Sequence, residues 1–580
     1  MFIFIFAAGL KGQNLRLGTA GDISLTGNEF LKRFELSARA GNYIDRNEEK
    51  EKFLITLAAE KLWYLEALDR GLSDLMPLKK YILEVEKLYL RDKLFEIEII
   101  SKVNVTDENI KNEFINFNTK AKVRYFYTLW KNEADSVTAL LHKFREKGKT
   151  QLIKDFFQNK PEAQLSYGVT DYEIESELFN LSDSMFSKVF PVNKGYIIYF
   201  LEKKSVGEKF FPASDSPEYR KVEKRLKDYR TEKEYNSWTE NFLKSSVIYA
   251  DNMAFSSSAE ILHRAVQNKL PEGNQKDSLI TLDYDDFIRL INDTADDTLS
   301  KVLIKFNSES VTIVDFMYYL AFYEVSFENG NLETVRKMLN HKIREFIRLE
   351  LITREAIKRG FRNNAELRED LQMWEQNFLS HYARNRFMDS LSANKPGIEN
   401  FLSDNSRQPI TMFRFIEYVN LNLDEAYSIL TNNSNSILKS NPKFDSTKFY
   451  YPAETGELSG FLENMHPGEM FGPINKSGGY TILKLLEKQE ILQSDIENSV
   501  ETDQEALISS YIQQRLDSAT NILAEKFGLD LDFNSLEKIK VSEINTLVYR
   551  KFGFGGKILA VPFENMNYKW FDTEKKKTGI

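Results

Sequence analysis

Cysteine is absent from the 580 residues. That removes disulfides, thiolate metal sites and cysteine nucleophiles together. Histidine is scarce: five occur, at positions 142, 263, 341, 381 and 466, and none is spaced with another histidine or an acid for metal or triad chemistry. No run approaches the ~18 apolar residues of a membrane span. Positive charge is not in excess either, since 78 basic residues face 87 acidic ones for a net charge of -9. The basic face that phosphate contacts require is therefore missing, and nucleic acid is not an expected partner. A Gly-x-x-x-x-Gly-Lys-Ser/Thr loop, a His-Glu-x-x-His helix and a Gly-x-Ser-x-Gly elbow are all lacking. No metal or cofactor is expected.

Aromatic residues are plentiful, 43 Phe and 27 Tyr, and the length implies about three to five domains, since single cores stop growing well below it. The opening Met-Phe-Ile-Phe-Ile-Phe-Ala-Ala-Gly-Leu is apolar with small residues at Ala7 and Ala8, although no Lys or Arg precedes it. It reads as the remnant of a clipped secretory signal over 1–14, with a buried first strand as the alternative.

From Ile23 to Ser101 the periodicity predicts helices. Thr26 and Glu29 suggest a capping box ahead of Phe30 and Phe34. A helix over 48–70, with its stripe at Leu54, Leu57, Ala58, Leu62 and Leu65, should stop at Gly71, and a third follows Pro77. A capped helix from about 106 precedes a strand over 123–129. Helices over 133–147 and 151–158, a strand near 164–167, a turn at 181–184 and a final strand from Gly195 complete that region. A charged helix over 217–242 and a short strand at 247–249 come next. Residues 250–308 read as connector and small helices, one of them over 259–266, with a polar linker at 271–277.

The second half repeats the first. Thr312 ahead of Phe316 mirrors Thr26 ahead of Phe30, and Arg359-Gly360-Phe361 mirrors Arg70-Gly71-Leu72. Phe413-Arg414-Phe415-Ile416, with a helix over 423–431 behind it, mirrors Val123-Arg124-Tyr125-Phe126, and Gly479-Tyr480 mirrors Gly195-Tyr196. The four offsets nearly coincide, so the chain reads as a tandem duplication. A helix over 501–527 stopped by Gly528, a strand over 529–533 and a hairpin around Gly553, Gly555 and Gly556 finish it.

The most informative stretch is 455–486: Leu462, Pro467-Gly468-Glu469-Met470-Phe471-Gly472-Pro473 and Gly479-Tyr480-Thr481-Ile482. Its order of turn, short helix, Pro-Gly turn, strand, Gly-Gly turn and strand resembles the closing half of a parvulin-type (PpiC-like) peptidyl-prolyl isomerase domain. Together with the helical flanks it resembles the SurA-type and PrsA-type foldases. The resemblance implies an α+β multidomain chain: helical chaperone-like lobes and two small parvulin-like domains with antiparallel sheets. The expected layout is helical segment 15–118, parvulin-like domain 119–205, return helix and strand 206–250, and connector 251–308. Helical segment 309–408, parvulin-like domain 409–488, return helix and strand 489–535 and tail 536–580 follow.

In that family two histidines facing each other across the sheet build the polar part of the site. The matching positions here are Tyr125 and Ile197 in the first domain, Phe415 and Thr481 in the second, so no catalytic residue is carried over. Domain one has also lost the Gly of the Pro-Gly turn, which is Asp183. What the resemblance leaves is binding: Tyr125, Tyr196, Phe415, Phe471, Tyr480 and Thr481 would lie on or beside the former substrate face and hold an extended apolar peptide, with filling of two small cores as the alternative. The implied function is an extracytoplasmic chaperone of the periplasm or cell envelope, with unfolded or extended outer-membrane or secreted clients. An active isomerase in the second domain and a non-catalytic envelope scaffold are the alternatives.

Overall fold

The computed structural model describes residues 15–37, 46–206, 211–214, 216–244, 248–269, 280–306, 309–404, 409–421, 425–426, 429, 440–455, 458–476, 479–492, 502–541, 548–562 and 568–571. The apolar opening run, the polar linker at 271–277 and nearly all of the helix expected over 423–431 lie outside them. The chain divides into two units, Met1–Lys93 with Ile248–Ile580, and Leu94–Val247. Among the described residues no helix is long and apolar enough to cross a membrane.

The first unit holds two helical lobes and a sheet. Thr26 accepts the Glu29 amide and starts helix Gly27–Leu36, and Thr312 likewise caps Ile313–Tyr323 in a full capping box with Asp315. Helix Arg46–Asp69 ends at Gly71 with φ 68°, helix Leu332–Lys358 at Gly360 with φ 80°, and each is followed by a single 3-10 turn, Leu72–Asp74 or Phe361–Asn363. A left-handed residue is what such a stop requires. The second long helices are Met76–Glu98 and Ala365–Ser392.

Several elements differ from the sequence reading. Residues Ile23–Thr26 are a strand, not helix, and pair with Arg16–Ala20 as a hairpin. In the stretch read as connector and small helices, the helix expected over 259–266 forms and is longer, Asn252–Asn268, and strand Ile280–Leu282, helix Tyr284–Asn292 and strand Val302–Lys305 follow it. Its Ile261, Leu262, Phe287 and Leu303 sit in the same core as Ile313, Phe316 and Leu320. The hairpin at the tail forms as expected, Tyr549–Lys551 against Lys557–Leu559.

The lobe cores are aliphatic and aromatic, but one charge cluster is fully enclosed. Glu60 accepts from Arg33 at 2.5 Å on one oxygen and from Asn377 at 2.7 Å on the other, with the Lys61 ammonium 3.2 Å away. Lys61 also bonds Glu29 and donates to Gln376 at 2.6 Å. Burial alone would raise the Glu60 pKa; the charges of Arg33 and Lys61 and the bonds from Arg33 and Asn377 outweigh it and hold the carboxyl well below the usual range.

The second unit is a four-stranded antiparallel sheet in the order Glu162–Ser166, Thr119–Thr128, Gly195–Val206, Phe190–Val192. Helices Lys131–Glu146 and Thr150–Gln158 cover one face through Leu141, Ile153 and Phe157. Helix Tyr172–Asn180, absent from the sequence reading, covers the other with Asp107–Phe117 and Pro217–Leu243, through Ile174, Leu178, Phe114 and Val222. The second sheet, within the first unit, orders Pro409–Leu421, Gly479–Leu492 and Met470–Lys476, all antiparallel.

Replacing Glu60 with Leu removes the fully buried carboxylate between Arg33 and Lys61 and leaves both cations to the partly exposed Glu29; the expected destabilisation is about 3–5 kcal/mol, read as a lower urea midpoint at neutral pH. Because the folded pKa lies below the unfolded one, the stabilisation is present above about pH 4.3 and is lost as pH falls toward the folded value. Acidification from about pH 5 to about pH 3 should therefore lower the melting temperature more in the native protein than in Glu60→Gln.

Candidate peptide-binding sheets

Strand alternation decides which candidate side chains meet. In the second unit Tyr125 lies opposite Tyr199, and Ile197 opposite Tyr127. Ile197 is buried in the core beneath helix Tyr172–Asn180 and Tyr125 is packed half-buried against it. The two positions where the family carries histidine thus share one face. The Tyr125 ring stands 6.1 Å from that of Tyr199, whose pKa is raised by burial and then by Tyr125. Tyr196 is half-buried and alternates with Ile197, so it faces the other side, with Ile198 and Phe200 two and four residues beyond it. The structure does not bring Tyr125 and Tyr196 together.

In the second sheet Phe415, Phe471, Leu483 and Leu485 form one core with Phe444, Leu462 and Met465. Phe415 is 0% exposed, Phe471 4% and Thr481 1%. Thr481 pairs with Ile474 and alternates onto the face of Leu483, so the second pair of histidine positions, Phe415 and Thr481, also shares a face. Phe471 stacks on Phe461 at 4.6 Å and Phe415 lies 4.8 Å from Phe444. Tyr480, next in sequence to Thr481, turns the opposite way and packs half-buried beside Ile482 and Leu421. Three of the four candidates in this sheet are enclosed.

The arginine that precedes each former histidine position is tied across the sheet. Arg124 bonds Glu202 at 2.5 Å and Glu162 at 2.9 Å, and Arg414 bonds Glu487 at 2.6 Å. Both pairs link the opening strand to the closing one. Of the scarce histidines, His466 is exposed in its turn, its amide donating to Glu469 at 2.6 Å, and His142 stacks edge-on against Phe186 at 5.1 Å. No cluster among the described residues could hold a metal ion.

Sequence reasoning missed the most exposed apolar feature of the second unit. Tyr127, Leu129 and Trp130 are 45%, 57% and 67% exposed at the end of the opening strand. They are held in place. The Tyr127 hydroxyl donates to the Lys194 carbonyl at 3.2 Å, and its ring lies against Gly195. The Thr128 hydroxyl donates to Glu133 and accepts from the Trp130 amide at 3.2 Å, while Trp130 caps helix Lys131–Glu146. The available signal was Leu129-Trp130, two large apolar residues side by side where alternation allows only one to be buried. Lys488, on the second sheet, was also missed: burial pushes its ammonium down to about 8, and it donates to the Glu463 carbonyl at 2.7 Å.

Gly195 is required by close approach, since a Cβ there would stand 2.3 Å from the Thr128 carbonyl and 3.0 Å from the Tyr127 ring. Gly195→Ala should destabilise the second unit by about 1–3 kcal/mol, and hydrogen exchange over 127–130 should accelerate.

Neither a known protein family nor a curated protein matches the chain. Solved structures do. One is a Campylobacter jejuni chain described with the virulence factor PEB4 and the periplasmic protein Cj1289, two SurA-like chaperones. It is 14% identical, covers 41% of this chain and 100% of its own, and has a TM-score of 0.21. Another is the peptidylprolyl isomerase PrsA from Bacillus cereus, 16% identical, covering 41% of this chain and 95% of its own, with a TM-score of 0.16.

Proposed function

We propose that this chain is a polypeptide-binding folding factor in which two parvulin-like sheets are retained and the isomerase chemistry is lost. The observation that carries this reading is the chemistry of the four former histidine positions. Tyr125 shares a face with Ile197 on one sheet, and Phe415 shares a face with Thr481 on the other, where both are enclosed. Isomerisation must lower a rotational barrier of about 18–20 kcal/mol. Ile197 and Phe415 have no polar atom to contribute, and the Thr481 hydroxyl is enclosed.

Client binding rests instead on the ledge of Tyr127, Leu129 and Trp130, while Tyr196, the ladder partner of Thr128, faces the other side of the sheet. Large exposed apolar side chains clustered at a rigid strand end mark an interaction site more often than a random surface does. Aromatic rings there accept an extended apolar segment without sequence-specific hydrogen bonds. The tandem duplication belongs to the same reading. Its supports are the paired caps at Thr26 and Thr312, the paired stops at Gly71 and Gly360, and the paired bridges Arg124–Glu202 and Arg414–Glu487. The layout of helical lobes and two parvulin-like domains, and a location in the periplasm or envelope with outer-membrane or secreted clients, follow from the sequence resemblance.

The test uses the whole chain in two assays. A protease-coupled prolyl isomerase assay should show no acceleration over the uncatalysed reaction, while aggregation of an unfolded model client should be suppressed. The double change Leu129→Ser with Trp130→Ser should weaken suppression several-fold at unchanged melting temperature. Acceleration of isomerisation would overturn the loss of catalysis. Silence in both assays would point to an envelope scaffold.

A further inference from the structure

Two small sheets close the two lobes of the first unit, and each takes its third strand from a distant part of the chain. Strand Leu529–Leu531 joins the hairpin of Arg16–Ala20 and Ile23–Thr26, with Gly18 opposite Leu531 and Ala20 opposite Leu529. Strand Tyr249–Ala250 joins the hairpin of Val302–Lys305 and Ser310–Thr312, with Tyr249 opposite Lys305. Each added strand runs into a helix capped by aspartate. Asp251 accepts from the Ala254 amide at 2.8 Å and Asp532 from the Ser535 amide at 2.9 Å, opening Asn252–Asn268 and Phe533–Glu537. The cores show the same crossing. Ile261, Leu262 and Val266 complete one that is otherwise drawn from 280–346. Leu536 and Ile539 complete one that is otherwise drawn from 17–58.

Both additions are fastened at named atoms. A Cβ on Gly18, whose φ is 148°, would stand 2.1 Å from the Asp530 carbonyl oxygen, so the strand can lie this close only against glycine. The buried Lys50 ammonium donates to the carbonyls of Leu536, Glu537 and Ile539 at 3.2, 3.3 and 3.2 Å. They lie at and just beyond the end of helix Phe533–Glu537, where backbone carbonyls run short of intrahelical donors. On the other lobe the Asp251 amide donates to the Leu303 carbonyl at 2.9 Å, Gln267 to the Gly330 carbonyl at 2.5 Å, and Lys269 pairs with Asp283 at 3.0 Å.

We propose that the two halves of this chain are each other's binding partners: each presents a hairpin and an open lobe that only the return strand and helix of the other half can close. A two-stranded hairpin is marginal by itself, and the surface it offers fits an extended strand running into a short apolar helix. The native unit is thus a reciprocal exchange of 249–268 for 529–539, not two self-contained modules in tandem. This does not depend on the client-binding reading.

The absence of cysteine makes the exchange directly readable. A protease recognition sequence is placed within 270–279 of the full chain, with one cysteine pair, either Thr19→Cys with Asp530→Cys or Tyr249→Cys with Lys305→Cys. After oxidation and cleavage, either pair should run on a denaturing non-reducing gel as one species of full-chain mass, resolving into two fragments on reduction. Two fragments without reductant would overturn the proposal, and so would oxidised species of twice the chain mass before cleavage, which would mean exchange between copies. As a second measurement, Gly18→Ala should weaken association of the cleaved halves at least tenfold, whereas Gly148→Ala, in the second unit, should not. Equal association in both would also overturn it.

Discussion

Three charges enclosed between helices set the terms on which the first unit can form. Arg33 comes from the first helix, Glu60 and Lys61 from the second, and the amides of Gln376 and Asn377 from a helix more than half the chain away in sequence. An apolar interface tolerates a slide of one helical turn at modest loss, whereas a buried carboxylate without its cations does not. The cluster therefore fixes register as much as it adds stability. A second crossing of the same kind lies where Met76–Glu98 meets the other half. There the buried Arg91 donates to Thr353 at 3.1 Å and Tyr323 at 2.9 Å, and Lys87 sits between Glu84 and Glu350. Polar groups enclosed at both crossings give the halves one way to fit.

The sheets follow the opposite logic. Ile197 and Phe415 put hydrocarbon at the centre of the two sheets, and the second has closed over Phe415 with Phe444, Leu462 and Met465. Each has nevertheless kept an arginine bridged to the neighbouring strand's glutamate. Such a bridge pins strand to strand irrespective of what the opposite face does.

Much of this was legible from the sequence because it is local. Thr26, Thr312, Gly71, Gly360 and Gly528 act within a turn of their own positions, and the caps and left-handed stops stand where their residue types require. The alternation from Tyr480 to Leu485 gave a true strand. The short strands Arg16–Ala20 and Tyr249–Ala250 are weak signals, and the first went unread because its stabilising partner lies in Leu529–Leu531. Helix Asn252–Asn268 was legible only over 259–266, its first half being blurred by serines, and its apolar stripe acquires meaning only against the core it completes. Among the candidate site residues, alternation alone already separates Tyr480 from Thr481, since neighbours on a strand cannot share a face. Burial was the part that could not be read: nothing in Tyr127, Leu129 and Trp130 distinguishes exposed aromatics from the enclosed Phe415 and Phe471.

The order in which a ribosome delivers these segments is not symmetrical. The lobe of residues 280–346 finds helix Asn252–Asn268 already made, and can close as it emerges. The lobe built on Phe30, Phe34 and Phe53 must wait, because Lys50 and the carbonyl of Leu536 are 486 residues apart. At the ~5–20 residues per second of protein synthesis, that is roughly 25 to 100 s with an aromatic core uncovered. A chain of this design is itself, for that interval, an unfolded polypeptide in need of a holder.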